Sequence, residues 1–204
     1  RLTPGIEAHT HDYIKTGQLD SKFGFGIENG QALLAVESAL SIKGLMLIGF
    51  HCHIGSQIFE EEPFRDAAKI MINFARTVKE KYGLETRELD FGGGFGIKYV
   101  DSDKPLPVKD YIGVLVSSVK EYCHKYDIPF PKLSIEPGRA IVGEAGTTLY
   151  TVGAIKDIPG IRKYVSVDGG MSDNIRPALY GAKYTAVVAN KASNPSEQRV
   201  SIAG

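Results

Sequence analysis

The chain has 204 residues, with 24 Lys and Arg balanced by 24 Asp and Glu, so no overall field draws it to nucleic acid or to an anionic membrane surface. Hydrophobic residues make up 43%, yet no apolar run approaches the roughly 20 residues that a bilayer crossing needs, which leaves a soluble chain with apolar mass for one large or two small cores. Glycine is the outlier: 23 residues are about 11% against a usual value near 7%, and the excess falls in short clusters of the kind that bring backbone close to a ligand.

The two cysteines, Cys52 and Cys123, stand far apart in a chain without a signal-peptide profile. They read as free thiols in a reducing, cytoplasmic compartment. Arg1 in place of an initiator Met, and an end inside the apolar run Ser201-Ile202-Ala203-Gly204, are what a piece cut from a longer protein would show.

From Asn29 to about Ser134 helix-like and strand-like segments alternate, the signature of parallel α/β architecture. Ala32, Leu33, Val36, Ala39 and Leu40 recur at helical spacing, and the continuous apolar run Leu45-Met46-Leu47-Ile48-Gly49-Phe50 predicts a strand buried on both faces. Phe64, Ala67, Ala68, Met71, Phe74, Ala75 and Val78 form the clearest amphipathic stripe, with Gly83 as its C-terminal cap and a short strand around Leu89-Asp90-Phe91 after it. Val108, Tyr111, Ile112, Leu115, Val119 and Tyr122 predict a further helix, stopped by Pro129 and Pro131, and residues 132–136 a strand. After about Gly146 the rhythm changes to short β-rich runs at 147–155, 164–167, 184–189 and 199–202, with no convincing helix between them. The expected fold class is α/β: residues 1–146 the C-terminal part of a (β/α)₈ TIM-like barrel, residues 147–204 part of an antiparallel β domain.

Three polar clusters directly follow predicted barrel strands: His51-Cys52-His53-Ile54-Gly55-Ser56-Gln57, Gly92-Gly93-Gly94-Phe95-Gly96 and Glu136-Pro137-Gly138-Arg139. Active sites of such barrels are built at the C-terminal ends of the strands, so the clusters converge on one mouth. The glycine triplet reads as a row of amides for an oxyanion or as a flexible turn; no Gly-Lys-Ser/Thr follows, so it is not a Walker loop. Ser56 adds a neutral donor. His51 and His53 share a side of the strand and read as a metal-binding His-x-His, or as hydrogen-bonded core histidines, the reading favoured for His51. The remaining histidines, His9 and His11 in an expected loop and His124 late in a helix, lend that metal reading only weak support. Cys52 reads as packing. Glu136, pinned by Pro137, is a rigid carboxylate suited to a protonated ring nitrogen, and Arg139 suits a phosphate or carboxylate; the alternative is an ordinary ion pair. The loop Asp168-Gly169-Gly170-Met171-Ser172-Asp173-Asn174-Ile175-Arg176-Pro177-Ala178-Leu179-Tyr180-Gly181 carries an Arg and a Tyr four apart, a plausible carboxylate clamp or simply a surface loop.

Taken in order, His-x-His-Ile-Gly-Ser-Gln, Asp-Phe-Gly-Gly-Gly-Phe-Gly, Glu-Pro-Gly-Arg and Asp-Gly-Gly-Met-Ser-Asp-Asn-Ile-Arg-Pro-Ala-Leu-Tyr-Gly-Ala resemble the pyridoxal-phosphate decarboxylases of the alanine racemase-like barrel fold, over essentially all 204 residues. The last motif resembles the branch acting on meso-diaminopimelate. Branches acting on ornithine, arginine or carboxynorspermidine share the earlier motifs and remain the alternative. The resemblance implies pyridoxal 5'-phosphate as cofactor, decarboxylation of meso-2,6-diaminopimelate to L-lysine and CO₂, and a cytoplasmic homodimer with no nucleic-acid or membrane partner. It implies that His53 stacks on the cofactor ring and that Ser56 with the amides of Gly92, Gly93 and Gly94 holds the phosphate. Glu136 then bonds the ring nitrogen, Gly138 and Arg139 border cofactor and substrate, and Arg176 and Tyr180 grip the distal end of the substrate. No metal is implied.

The family's cofactor-bearing lysine stands in a Tyr-Ala-x-Lys-Ala-Asn-like setting, and no lysine here does. That strand is expected before Arg1, and a Cys-Glu-Ser-Gly-Asp motif and a late cofactor-contacting Tyr after Gly204, so the isolated chain is expected to show no turnover. A non-catalytic relative that keeps the barrel, and a metal-dependent barrel hydrolase using His51 and His53, are the competing readings.

Overall fold

The computed structural model describes residues 1–6, 22–195 and 198–204; His9 and His11 lie outside the described residues. Two compact units divide the chain, Arg1–Lys98 with Lys104–Glu144, and Tyr99–Asp103 with Ala145–Gly204.

In the first unit, strands β1 (Leu2–Thr3) and β2 (Phe25–Gly26) pair in parallel, followed by helix α1 (Gln31–Ser41). Then β3 (Gly49–His51), β4 (Glu88–Asp90) and β5 (Lys132–Ser134) form a parallel sheet in that order, with helix α2 (Glu62–Tyr82) between the first two and α3 (Val108–Tyr126) between the last two. This βαβαβ run is the expected partial (β/α)₈-type barrel. Its helices form as their sequences demand. The apolar stripe of α2 is buried from Phe64 to Val78, Pro63 sits in its first turn where no N–H partner is lost, and Gly83 ends it in the left-handed region at φ 68°. Helix α3 stops earlier than its prolines require: Asp127 adopts φ 50° and donates its N–H to the Cys123 and His124 carbonyls.

One strand is shorter than its sequence suggests. Residues 45–48 lie outside β3, with Leu45, Met46 and Ile48 exposed rather than buried on two faces, because no described element covers them. A run of apolar residues states a preference for burial; it does not supply the neighbour.

The core packs α2 and α3 on the sheet. Phe64, Phe95 and Tyr111 form an aromatic triad with ring centroids 5.0 to 5.5 Å apart. The fully buried Tyr111 donates its hydroxyl to the Ile58 and Phe59 carbonyls, each at 3.1 Å, and accepts the Leu106 N–H at 3.3 Å. Burial pushes this phenol's pKa up, so it stays a donor. Helix α3 is thereby tied to the loop that leaves β3.

The first unit ends, in chain order, with α4 (Gly138–Val142), a one-turn helix; the second unit holds β6 (Val152–Ile158) and β7 (Arg162–Val167), paired antiparallel, and β8 (Ser201–Ala203), paired parallel to β7. Two expectations are corrected. Residues 184–189 are not a strand, since Thr185 bonds the Tyr99 carbonyl and Tyr184 packs edge-on to the Tyr99 ring instead of meeting a partner strand. A short helix, α5 (Arg176–Tyr180), occupies the loop where none was expected. None of the second unit's described residues is buried. Among the described residues, no helix is long and apolar enough to cross a membrane.

Candidate active site

The register of the parallel sheet builds the site. His51, Asp90 and Ser134 stand level at the ends of β3, β4 and β5. Pairing continues past the strands: the Cys52 N–H donates to the Asp90 carbonyl at 2.8 Å, Phe91 to Ser134 at 3.0 Å, and Glu136 to Gly92 at 2.7 Å. The three clusters are thus zipped together, and a cavity of about 230 Å³ opens between them, lined among others by His53, Ser56, Gly93, Gly94, Glu136, Gly138 and Arg139.

The glycine triplet is required by close packing. A Cβ on Gly93 would run into the Glu136 carbonyl oxygen, and one on Gly94, at φ 94°, into that of Gly55; on Gly92, at φ 66°, it would lie 2.7 Å from the Cys52 carbonyl oxygen and 2.8 Å from His53 Nδ1. Any other residue would push the loops apart. The amides serve differently from the expectation. Gly92 N–H donates to Asp90 Oδ1 at 2.8 Å and Gly93 N–H to His53 Nδ1 at 3.2 Å. Of the three, only the amide of Gly94 is not committed to Asp90 or His53.

The bond from Gly93 also settles the state of His53. With Nδ1 accepting, the neutral ring carries its proton on Nε2. Burial lowers this imidazole's pKa, with the nearby Arg1 and His51 charges adding to the effect and those of Glu136 and Asp90 opposing it. His53 is therefore an uncharged flat ring at neutral pH.

His51 is not the hydrogen-bonded core residue expected. It is partly exposed, and its Nε2 sits 3.3 Å from Glu136 Oε2 without hydrogen-bond alignment. His51, Asp90 and Glu136 bring one ligand atom each within 4.8 Å of one another. Among the described residues, this trio, rather than the His51 and His53 pair, is the group whose ligand atoms lie close enough for a cation. Cys52 is fully buried and its thiol is pushed up to about 12, chiefly by burial, so it is packing and not a nucleophile.

Arg139, on α4, donates Nη1 to Gln57 Oε1 at 3.3 Å. Gln57 is a residue whose side chain sequence reasoning passed over, although it closes the first motif. It holds φ 60°, a conformation that costs a non-glycine residue roughly 1–2 kcal/mol. In the second unit Arg176 and Tyr180 lie one turn apart on α5, the guanidinium 5.6 Å from the Tyr180 ring centroid. Arg176 Nε donates to Tyr184 Oη at 2.9 Å, a second partner not foreseen. His124 lies in the last turn of α3.

The cavity thus brings together an imidazole, a hydroxyl, a guanidinium and a carboxylate, from His53, Ser56, Arg139 and Glu136, groups whose chemistry can receive a flat heteroaromatic ring bearing an anionic group. A family model for the pyridoxal binding domain of pyridoxal-dependent decarboxylases matches residues 1–143, and one for the C-terminal sheet domain of the same enzymes matches residues 99–204. The chain belongs to the pyridoxal-dependent decarboxylase family. Within it, the chain is 52% identical over 204 residues to the diaminopimelate decarboxylases of Bacillus methanolicus and of Bacillus subtilis, covering 100% of this chain and 47% and 46% of theirs. The chain thus spans about half the length of the curated relatives it matches. The crystal structure of diaminopimelate decarboxylase from M. jannaschii in co-complex with L-lysine superposes with a TM-score of 0.79 at 36% identity, covering 91% of this chain and 42% of that one. The Helicobacter pylori enzyme complexed with L-lysine gives 0.77 at 32%, covering 91% and 43%.

Proposed function

We propose that this chain contributes the cofactor cradle and part of the substrate clamp of an enzyme that decarboxylates meso-2,6-diaminopimelate to L-lysine and CO₂. The observation that carries the reading is the convergence of His53, Ser56, Gly94, Glu136 and Arg139 on one cavity at the strand ends, supported by relatives of that activity matched along the whole chain.

When bound, pyridoxal 5'-phosphate supplies an electron sink for the pair left as CO₂ departs. His53 offers its neutral face to the ring. Ser56, the Gly94 amide and the Arg139 guanidinium receive the phosphate, while Gly92 and Gly93 act by letting the loops close and by fixing Asp90 and His53. Gly138 opens the turn that presents Arg139. The Glu136 carboxylate accepts a hydrogen bond from the ring nitrogen and so keeps a proton on that atom, which makes the ring a stronger acceptor of electrons. Arg176 takes the distal carboxylate of the substrate as a charge-assisted partner, with the Tyr180 hydroxyl beside it. The working enzyme is a homodimer in the cytoplasm, readable as a mass of two chains by light scattering of the full-length protein.

The test is substrate discrimination by the full-length enzyme. Arg176→Ala should raise KM for meso-diaminopimelate by about 100-fold, the scale of a lost charge-assisted pair, with a much smaller change in kcat. An unchanged KM would remove Arg176 from the clamp.

A further inference from the structure

Gln57 occupies a conformation that nothing in its own segment explains. Among the described residues only two that are not glycine have positive φ, Gln57 at 60° and Asp127 at 50°. Asp127 ends a helix, where a left-handed residue satisfies carbonyls that would otherwise lack partners. Gln57 ends nothing. It lies between Gly55, whose carbonyl is packed against Gly94, and Ile58, whose N–H donates to the Gly94 carbonyl and whose own carbonyl accepts from Gly96.

Strain of this kind persists only where the surroundings impose it, and it concentrates where a side chain must be aimed. The side chain here makes three hydrogen bonds. Its Nε2 donates to the Ile97 carbonyl at 2.6 Å, and its Oε1 accepts from the Ile97 N–H at 3.2 Å and from Arg139 Nη1 at 3.3 Å. The amide orientation is unambiguous, since the oxygen faces two donors and the nitrogen faces a carbonyl. One amide therefore joins the loops following β3 and β4 to the helix that follows β5.

We propose that Gln57 is the positioning residue for Arg139, holding the guanidinium in the cavity toward an anionic phosphate. This rests on the reading of Arg139 as a phosphate ligand. A glutamate could not replace it, because a carboxylate oxygen would face the Ile97 carbonyl at 2.6 Å. Asparagine and glycine both accept the left-handed backbone but fall short of Ile97 and Arg139, so they relieve the strain while removing the bridge.

The experiment titrates the full-length protein, stripped of cofactor, with pyridoxal phosphate and with pyridoxal, which lacks the phosphate, following the bound chromophore. Wild type, Gln57→Asn, Gln57→Gly, Arg139→Ala and the double variant Gln57→Asn with Arg139→Ala are compared. Each Gln57 variant should weaken pyridoxal phosphate by about tenfold, the scale of one charge-assisted hydrogen bond, with pyridoxal changed less than about twofold. In the Arg139→Ala background Gln57→Asn should add almost nothing, because the two residues act as one unit. Equal weakening of both ligands, or a full additive loss in the double variant, would overturn the inference and make Gln57 a loop staple. If Arg139→Ala leaves phosphate affinity intact, the phosphate reading itself falls and the inference with it; if that variant weakens binding while Gln57→Asn does not, the role of Gln57 alone is refuted.

Discussion

His53 shows how a single hydrogen bond selects the chemistry of a residue. Because Gly93 N–H donates to Nδ1, the ring is useful only when neutral, and burial holds its pKa below the ordinary histidine value. Protonating the folded form breaks that bond, so the unfolded chain takes up the proton first as pH falls below about 6.5. The stability His53 contributes is present above that pH and is lost as pH falls through its lowered folded-state pKa. In a ring-carbon NMR titration of the full-length protein, the His53 resonance should move with a midpoint below 6.5, the ordinary value; a midpoint above it would contradict the tautomer assignment. Cys52 offers a second check at this scale. Buried and with its thiol pushed up to about 12, it should stay unmodified by iodoacetamide in the native protein and react once denaturant is added, as peptide mapping would read.

At the scale of elements, the loops are the site and the helices hold the loops. The Tyr111 hydroxyl, bonded to Ile58 and Phe59, is the clamp between α3 and the segment bearing Ser56 and Gln57. Tyr111→Phe leaves those carbonyls without this donor inside the core, so unfolding by denaturant should register a loss of about 1–3 kcal/mol, and no loss would show that the clamp carries no load. Gly93→Ala drives a Cβ into the Glu136 carbonyl, and its cost should appear as weakened cofactor binding together with lower stability of about 1–3 kcal/mol.

The sequence foretold these elements unevenly, for physical reasons. The stripe of α2 was legible from Phe64 to Val78 because a 3.6-residue period sustained over several turns has one structural meaning. Residues 45–48 and 184–189 were misread because short apolar or β-branched runs report only a tendency, and the pairing strand or covering layer is a tertiary fact. The glycine triplet was legible as a place of close approach, but what approaches it is set by the register of three strands. The bend at Gln57 was invisible, since glutamine carries no turn signal and its conformation is imposed by Ile97 and Arg139.

For the whole molecule, the proposed function assigns different parts of the chemistry to the two units. The first brings together His53, Ser56, Gly94, Glu136 and Arg139 around one cavity, supported by a continuous core. The second presents Arg176 and Tyr180 on a short helix in a unit whose described residues include none that are buried. The family match spans both units. The most direct measurement of the central claim is L-lysine formation from meso-diaminopimelate by the full-length protein after its cofactor has been removed. Turnover should be absent, return on addition of pyridoxal 5'-phosphate, and be reduced in Glu136→Ala without a compensating effect of added divalent metal. Lysine formation that needs metal and not pyridoxal phosphate, or none with either, would contradict the account.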